Sequence, residues 1–292
     1  MGMTNRGIGR LSPDRIHPKK GPGLHPLASG LLVTAVAIVF VYPFAWMFFA
    51  AFKSNTEIFR PLDLFPESFD VTYYHQLLNG DWFPFGRVFA NSVLIALLQS
   101  VGAVGMSAMA GYVFGRHKFR FQVALFALAL VVIVVPRQAL AIPLFAWMNT
   151  LHLSDNPLGV ILPGMVSGLG VIFFTQVFRQ LPAEYVETAR LAGASEWRVF
   201  LTLLPLVRPA LISFALVEFI LAWHQHLIPL LILSSPTKLT LPLALSSLYG
   251  SSLRFPYAVL MAGSTLTLLP TVILFGLLYK RFKSALGDLL IQ

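Results

Sequence analysis

Polar side chains that could bind a solute or a metal lie within long apolar runs of this sequence. Arg137 follows Pro136 near the end of one run, Glu218 lies mid-way along another, and His224 and His226 follow it. Charges at membrane depth are costly and rarely face lipid. Arg137 therefore either contacts a solute or extends to the interface, and Glu218 either pairs within a helix bundle or contacts a solute. Two histidines two residues apart face different sides of a helix, which disfavours a metal site.

The sequence has no motif of an intramembrane enzyme or of an ATPase. We find no Ser/His dyad, no His-Glu-x-x-His helix and no G-x-x-x-x-G-K-[ST] phosphate loop. The absence of cysteine excludes disulfides, thiol catalysis and thiolate metal sites. We therefore expect a protein that is not an enzyme and that binds no cofactor of its own.

The elements that must position these side chains are suited to lipid. Hydrophobic residues make up 57% of the chain and charged residues 11%, whereas soluble domains average about 45–50% apolar and about 25% charged residues. A soluble fold could not bury this much apolar surface. The net charge of +9 comes from basic residues that flank the apolar runs. Membrane topology explains this charge, so we expect a lipid bilayer as partner and no nucleic acid.

Six apolar runs are long enough to cross a bilayer, which takes about 20 helical residues. They lie near residues 27–52, 88–114, 121–145, 156–178, 206–233 and 256–280. Only helices satisfy the backbone in lipid at these lengths. We therefore predict an all-α membrane protein with six transmembrane helices within residues 27–283. Prolines inside the runs favour kinks. The kinks either reflect ordinary packing of a helix bundle or mark broken helices that line a path.

Lysine and arginine are unequally divided between the two sides of the membrane. The tail 1–26, the loop after the second run, the loop 179–208 and the C-terminal end hold 15 of them, and the opposite loops hold five. Because these residues concentrate in the cytoplasm, both termini, including the tail 284–292, are predicted to be cytoplasmic. The loop 53–87 is then external. Its five acidic residues and several aromatic residues favour a folded segment.

The cytoplasmic loop has the punctuation of two short helices joined by a tight turn. Pro182 suits a first helical turn, and Glu184 suits its positive end. Gly193 accepts the left-handed conformation that ends a helix, and Ser195 can cap the next one. The second helix should carry an apolar stripe of Trp197, Phe200, Leu201 and Leu204.

Three roles for this hairpin are open on physical grounds. It could be a solvated surface loop in which Glu187 and Arg190 form an i, i+3 pair. It could be an amphipathic hairpin that lies on the membrane. It could also be a docking element for a cytoplasmic partner.

The loop resembles the signature of ABC importer permeases, in which a Glu-Ala-Ala stem is followed by Gly-Ala and later by Leu-Pro. It stands here as LPAEYVETARLAGASEWRVFLTLLPLVRPAL. Thr188 replaces the second alanine and Ala192 replaces the aspartate before the glycine, and both changes keep the helix. Stretches along almost the whole chain resemble the maltose-type carbohydrate permeases. These are FKSNTEIF, FANSVLIAL, AGYVFGRHKF, PRQALAIPLF, NPLGVILP, AWHQHLIPLLIL and MAGSTLTLLP.

The resemblance implies a type I ABC importer permease in a bacterial or archaeal cytoplasmic membrane. Its partners would be a second related permease, two ATP-binding subunits that hold ATP and Mg, and an extracytoplasmic solute-binding protein. The hairpin would insert into a groove of an ATP-binding subunit, where Glu187 would pair with a basic residue. The Trp197 and Phe200 stripe would anchor its second helix to the permease. The residues assigned to this coupling contact are Glu184, Glu187, Ala189, Arg190, Gly193 and Ala194.

The resemblance also indicates a solute path. Family members carry Trp-Asn and then an acidic or amide residue where this chain has WHQ. The residues assigned to the path are Arg137, Glu218, Trp223, His224 and Gln225. Aromatic faces and planar polar groups suit a carbohydrate or a sugar-like solute. The alternatives are an importer of glycerol 3-phosphate or a glycerophosphodiester, and a stand-alone secondary carrier, which should show repeated halves.

Overall fold

A computed structural model describes residues 26–60, 62–136, 138–248 and 257–290, with side chains described between residues 27 and 277. Arg137 and the tail before Pro26 lie outside the described residues. The helices of the described ranges are α1 (Pro26–Ala50), α2 (Thr72–Asn79), α3 (Phe85–Arg116), α4 (Gln122–Val134), α5 (Ala141–Thr150), α6 (Pro157–Gly164), α7 (Gly168–Gln180), α8 (Ala183–Leu191), α9 (Glu196–Leu203), α10 (Arg208–Trp223), α11 (Leu227–Ile232), α12 (Leu241–Ser247) and α13 (Tyr257–Leu290), with a short 3-10 helix at Glu57–Phe59.

The chain divides into two units, residues 1–45 and residues 46–292. The described part of the first unit, residues 26–45, forms most of α1, and nearly all of its side chains are exposed. An apolar helix with exposed side chains is suited to lipid. The 24 residues Leu27–Ala50 are long and apolar enough to cross a membrane, and they occupy the predicted first span.

Among the described residues, three helices could each cross a membrane alone, namely α1, α3 and α13. Two further pairs have the required length and composition only when both members are counted. These are α6 with α7, bent by 42°, and α9 with α10, bent by 81°. The described chain is thus all-helical, with both unbroken and broken apolar helices.

The predicted third span, residues 121–145, is wrong as a continuous helix. Helix α4 ends at Val134 after 13 residues, which cover about 20 Å at 1.5 Å per residue. Pro136 lacks an amide hydrogen and disfavours the helical conformation of the residue before it. Val135 is accordingly extended, and the next described helix begins at Ala141.

Two other predicted spans are also interrupted. The run at 156–178 is divided between α6 and α7, and the run at 206–233 between α10 and α11. At the first break Ser167 caps α7, because its Oγ accepts the Gly170 amide at 3.1 Å. A side chain therefore replaces a missing backbone partner at that break.

Helix α3 is the central element of the second unit and contacts α2, α6, α7, α10 and α12. Its small residues allow close approach. A Cβ on Gly111 would lie only 2.5 Å from Cβ of Phe174. Phe174 and Phe178 are fully buried, so α3 and α7 form a tight pair. This pair supports the segment that follows α7.

The segment predicted as the external loop 53–87 is folded. Phe52 makes ring contacts with Phe69 at 5.6 Å and with Tyr74 at 5.3 Å. Lys53 is 1% exposed, and its ammonium group donates to the carbonyl of Asp63. The Phe49 ring, near the end of α1, contacts the Phe65 ring at 4.8 Å, so the segment packs against the part of α1 that belongs to the second unit.

Asp155 joins two loops that are far apart in sequence. Its carboxylate accepts the Ser234 and Ser235 amides at 3.0 and 2.9 Å and the Ser235 hydroxyl at 2.6 Å. Lys238 donates to the same carboxylate at 2.9 Å. These bonds, the Ser235 hydroxyl first, favour the ionised form and hold the pKa of Asp155 well below its usual range. The carboxylate thus links the loop before α6 to the loop after α11.

We expect Asp155→Ala to lower the Tm by a few degrees at pH 7. The contribution of a carboxyl whose pKa is lowered on folding is present above its unfolded pKa of about 3.9 and is lost below it. The difference in Tm between the variant and the native chain should therefore shrink as the pH falls below about 4. Thermal unfolding of the detergent-solubilised chain measures this difference.

The matched control is Asp81→Ala, which removes an exposed carboxylate with no side-chain bond among the described residues. It should leave the Tm unchanged. An equal loss in both variants would contradict the linking role of Asp155.

Candidate coupling hairpin and solute path

The segment after α7 folds as the predicted helical hairpin. The Ala194 amide donates to the Ala189 carbonyl at 3.1 Å, and the Gly193 amide donates to the Arg190 carbonyl at 2.9 Å. These two bonds form a Schellman motif, which requires a left-handed residue. Gly193 supplies it with a φ of +78°. Ser195 occupies the cap position of α9, but its side chain makes no capping bond.

The inner face of α9 differs from the predicted stripe. Its buried side chains are Val199, Phe200 and Leu203. Trp197 is 57% exposed and Leu201 is 44% exposed, so the inward face is rotated by about one residue, or about 100°. The Phe200 ring contacts the rings of Tyr112 and Phe178 at 5.4 and 6.1 Å. These contacts fix the rotation, and α9 is anchored through this face rather than through Trp197.

Glu196 ties the hairpin to α3. Its carboxylate accepts the Tyr112 hydroxyl at 2.8 Å and lies 3.0 Å from His117 Nε2. Arg190 donates to it from two nitrogens at 2.8 and 3.2 Å. These hydrogen bonds, those of Arg190 first, lower the pKa of Glu196 to about 2. One carboxylate therefore joins α8, α9 and the end of α3.

The structure separates the residues predicted for the coupling contact into two groups. Ala189 and Ala194 are half-buried and pack against the core beneath the hairpin. The exposed members of the set are Glu184, Glu187, Arg190 and Gly193. Arg190 pairs with Glu196 rather than with Glu187, so the i, i+3 pair considered for a solvated loop does not form. The hairpin thus has an anchored inner face and an exposed rim.

The structure does not bring the predicted solute residues together on one open surface. Glu218 and Trp223 are each 1% exposed. The Trp223 indole donates to the Thr267 carbonyl at 3.0 Å, and its ring stacks on Phe219. Trp223, the last residue of α10, therefore packs against α13. In this conformation neither Trp223 nor Glu218 is open to a solute.

The remaining predicted solute residues lie at the break between α10 and α11 or outside the described residues. His224 is exposed and Gln225 is half-buried, whereas Arg137 is not among the described residues. His226 is within 2.9 Å of the Ser246 hydroxyl. In the described part of the chain, no three His, Asp or Glu side chains are grouped so that they could hold a metal ion.

Two polar residues inside the bundle were not predicted as functional from the sequence. The Ser167 hydroxyl donates to Glu218 Oε1 at 2.7 Å. Gln99 is fully buried, and neither its amide atoms nor Glu218 Oε2 has a hydrogen-bond partner among the described residues. The sequence offers one signal for this site: Ser167, a residue type that caps helices, stands just before Gly168 inside an apolar run.

Comparison with known proteins gives a consistent assignment. The family described as "Binding-protein-dependent transport system inner membrane component" matches residues 104–286, a range that includes the whole hairpin. The chain belongs to this family. The permease family predicted from the sequence motifs is therefore confirmed, and together with the apolar helices it makes the chain a multi-pass membrane protein of an ABC transporter.

Relatives of this permease match over most of their length. The arabinooligosaccharides transport system permease protein AraQ of Bacillus subtilis (strain 168) is 32% identical over 270 residues, which cover 90% of this chain and 94% of the relative. The lactose transport system permease protein LacG of Rhizobium radiobacter is 28% identical, with coverage of 86% and 91%. A solved bacterial ABC transporter involved in the import of the acidic polysaccharide alginate matches with a TM-score of 0.77 at 20% identity. That match covers 88% of this permease and 95% of the solved chain, and it shows the shared fold.

Replacement of Glu196 tests how the hairpin is attached to the permease. Glu196→Ala removes the carboxylate that Arg190, Tyr112 and His117 share as a partner. Helices α8 and α9 should therefore open more often. We expect hydrogen exchange of amides in residues 183–203 to become several-fold faster at pH 7. The Glu196 carboxylate stabilises the closed hairpin above its unfolded pKa of about 4.3, and this stabilisation is lost as the pH falls towards its folded pKa of about 2.

Glu184→Ala is the matched control, because Glu184 also lies in the first turn of a hairpin helix but makes no side-chain bond among the described residues. It should leave the exchange rates unchanged. Equal acceleration in both variants would contradict a specific attachment through Glu196.

Proposed function

We propose that the chain is the transmembrane permease subunit of an ATP-driven, binding-protein-dependent importer of a carbohydrate or sugar-like solute. The observation that carries this proposal is the two-sided hairpin. Its inner face is buried against α3 and α7, and its exposed rim has carboxylates without partners among the described residues. An element fixed on one side and open on the other is suited to transmit force from a partner.

The chemistry of the rim favours a basic protein groove as the partner surface. Glu184 and Glu187 are both exposed on α8, and Gly193 lets another backbone approach because no atom lies within 4 Å of the position of its missing Cβ. We propose that Glu187 pairs with a basic residue of an ATP-binding subunit. Two such subunits would hold ATP and Mg and would carry out hydrolysis, so this chain would act by transmitting their closure.

The proposed assembly places the hairpin and both termini in the cytoplasm and the folded segment 53–87 outside. The excess of Lys and Arg in the tails and in loop 179–208 supports this orientation. With six spans in each subunit, a second, related permease would form the other half of the solute path. A solute-binding protein would deliver the solute from outside. The membrane would be the cytoplasmic membrane of a bacterium or an archaeon.

A carbohydrate is the proposed solute because the two relatives are named for arabinooligosaccharides and for lactose. Polar groups for such a solute are available at the break between α10 and α11. His224 is exposed there, Gln225 is half-buried, and the buried Trp223 supports this end of α10. We propose that His224 and Gln225, with Arg137, contact the solute on its path.

Gly193→Asp tests the docking contact. The position has free space within the chain, and aspartate is among the residues that tolerate positive φ, so the hairpin itself should still form. A side chain and a negative charge would nevertheless enter the proposed interface. We expect uptake by the reconstituted importer to fall about tenfold or more, with less ATP-binding subunit copurified.

Gly80→Asp is the matched control, because Gly80 also has a positive φ of +86° but lies after α2 in the proposed external segment. Uptake by the Gly80→Asp importer, and the amount of ATP-binding subunit copurified with it, should stay near native values. Full uptake and unchanged copurification in Gly193→Asp would overturn the coupling role. Transport by the purified chain without any ATPase would instead favour a secondary carrier.

Alanine at His224 and at Gln225 tests the solute path. Each change removes a planar polar group from the break between the two helices, so the KM for uptake should rise about three- to tenfold, with ATPase association unchanged. The control His75→Ala removes an exposed histidine from the proposed external segment and should have no effect. The solute is first identified with the copurifying binding protein, screened against sugars, glycerol 3-phosphate and glycerophosphodiesters. Unchanged kinetics in both variants would remove these residues from the path.

A further inference from the structure

The junction between α6 and α7 is held by an unusual buried hydrogen-bond chain. The Oγ of Ser167 accepts the Gly170 amide at 3.1 Å and donates to Glu218 Oε1 at 2.7 Å. Ser167 is 6% exposed and Glu218 is 1% exposed. One hydroxyl therefore caps α7 and at the same time fixes that cap to α10. We call residues 164–170 the elbow, because the two helices meet there at 42°.

The elbow is also enclosed by neighbouring helices. A Cβ on Gly164 would overlap the Gln99 amide of α3, and a Cβ on Gly168 would overlap the Ala129 carbonyl of α4. Ser107 of α3 approaches Gly170 equally closely. These approaches restrict the backbone on several sides.

One side of the elbow remains open. A cavity of about 370 Å³ lies beside it, and its lining includes Ser167, Gly168, Val171 and Leu128. The lining is mostly apolar, and its other polar side chain is Ser107, whose hydroxyl donates a long bond of 3.5 Å to the Ser167 carbonyl. If the bond to Glu218 were absent, the elbow would have space into which it could bend. The short bond to Glu218, with the longer Ser107 contact, therefore opposes this movement.

The elbow is continuous with the coupling hairpin. Helix α7 packs tightly on α3 and ends at Gln180, and α8 begins only three residues later at Ala183. Arg116 of α3 donates to the Leu181 carbonyl in this short connection. A displacement of the hairpin would thus reach α7 directly, and the stiffness of the elbow would decide whether α6 follows.

We propose that Glu218 is a positioning residue that accepts the Ser167 hydroxyl to fix the elbow, so that movement of the hairpin is passed through α7 to α6 instead of being absorbed between α6 and α7. This inference rests on the proposed coupling function for its consequence, but the geometry of the elbow can be measured separately. It gives Glu218 a role different from the solute contact predicted from the sequence.

The natural absence of cysteine allows spin labels to be placed on both sides of the elbow. Leu158→Cys on α6 and Gln180→Cys at the end of α7 are exposed positions, separated by about 30 Å along the bent helix pair. Pulsed EPR on the full chain, assembled with its ATPase subunits, reports the distance distribution. In parallel, uptake per ATP hydrolysed is measured with the same complex, reconstituted with its partners and the solute identified through its binding protein.

Glu218→Leu removes the acceptor, and we expect a broader distance distribution together with about five- to tenfold less uptake per ATP hydrolysed. Glu218→Gln keeps a carbonyl acceptor and should behave as the native chain does. Ser167→Ala removes the donor of the same bond. It replaces Glu218→Leu in the experiment if that variant fails to assemble. Where both assemble, the double variant should be no worse than the more affected single variant.

Ser100→Ala is the structural control, because Ser100 donates a 2.7 Å bond from α3 to the Ala215 carbonyl of α10 and does not touch the elbow. It should change neither readout. Lower coupling with an unchanged distance distribution in Glu218→Leu would overturn the positioning role and favour a solute contact. Native values of both readouts would also overturn it. If the native chain did not bind an ATPase, the proposed function would fail while the distance measurement on the chain still decided the elbow.

Discussion

Close packing between α3 and α7 is the contact on which the rest of this permease depends. It is possible because Gly111 leaves its side of α3 open to Phe174, where a Cβ would come within 2.5 Å. The same pair of helices supports the hairpin through Tyr112 and Phe178. Further along, it brings Ser107 against the start of α7. The position of the hairpin and the geometry of the elbow are therefore set by one interface.

Local features of this fold are predictable from the sequence because their causes lie within a few residues. Gly193 ends α8 with the expected left-handed conformation, and apolar runs mark the long helices. The limit is shown by the run at 121–145, whose length and hydropathy favour one span. A single proline and its restricted neighbour outweigh that average, since hydropathy describes transfer into lipid and does not describe backbone continuity.

Contacts between distant residues are not accessible from one sequence. Glu196 bonds to Tyr112 84 residues away and to His117 79 residues away, and Arg190 joins the same carboxylate instead of pairing with Glu187. The rotation of α9 has the same origin, because a ring contact with α3 decides which of several apolar side chains turns inward. The prediction of a hairpin needed only local rules, whereas its anchoring needed the tertiary structure.

The two breaks near Glu218 and His224 illustrate how broken helices can serve different purposes in lipid. At the break between α6 and α7, polar groups are satisfied inside the protein by Ser167 and Glu218, so that irregular backbone is stabilised where it is buried. At the break between α10 and α11, Trp223 ends its helix in the core, while the next residue, His224, is exposed. The second break offers a solute an exposed polar side chain, whereas Ser167, Glu218 and Gln99 at the first break are buried. Burial thus separates a structural polar residue, Glu218, from a candidate solute contact, His224, over less than two helical turns.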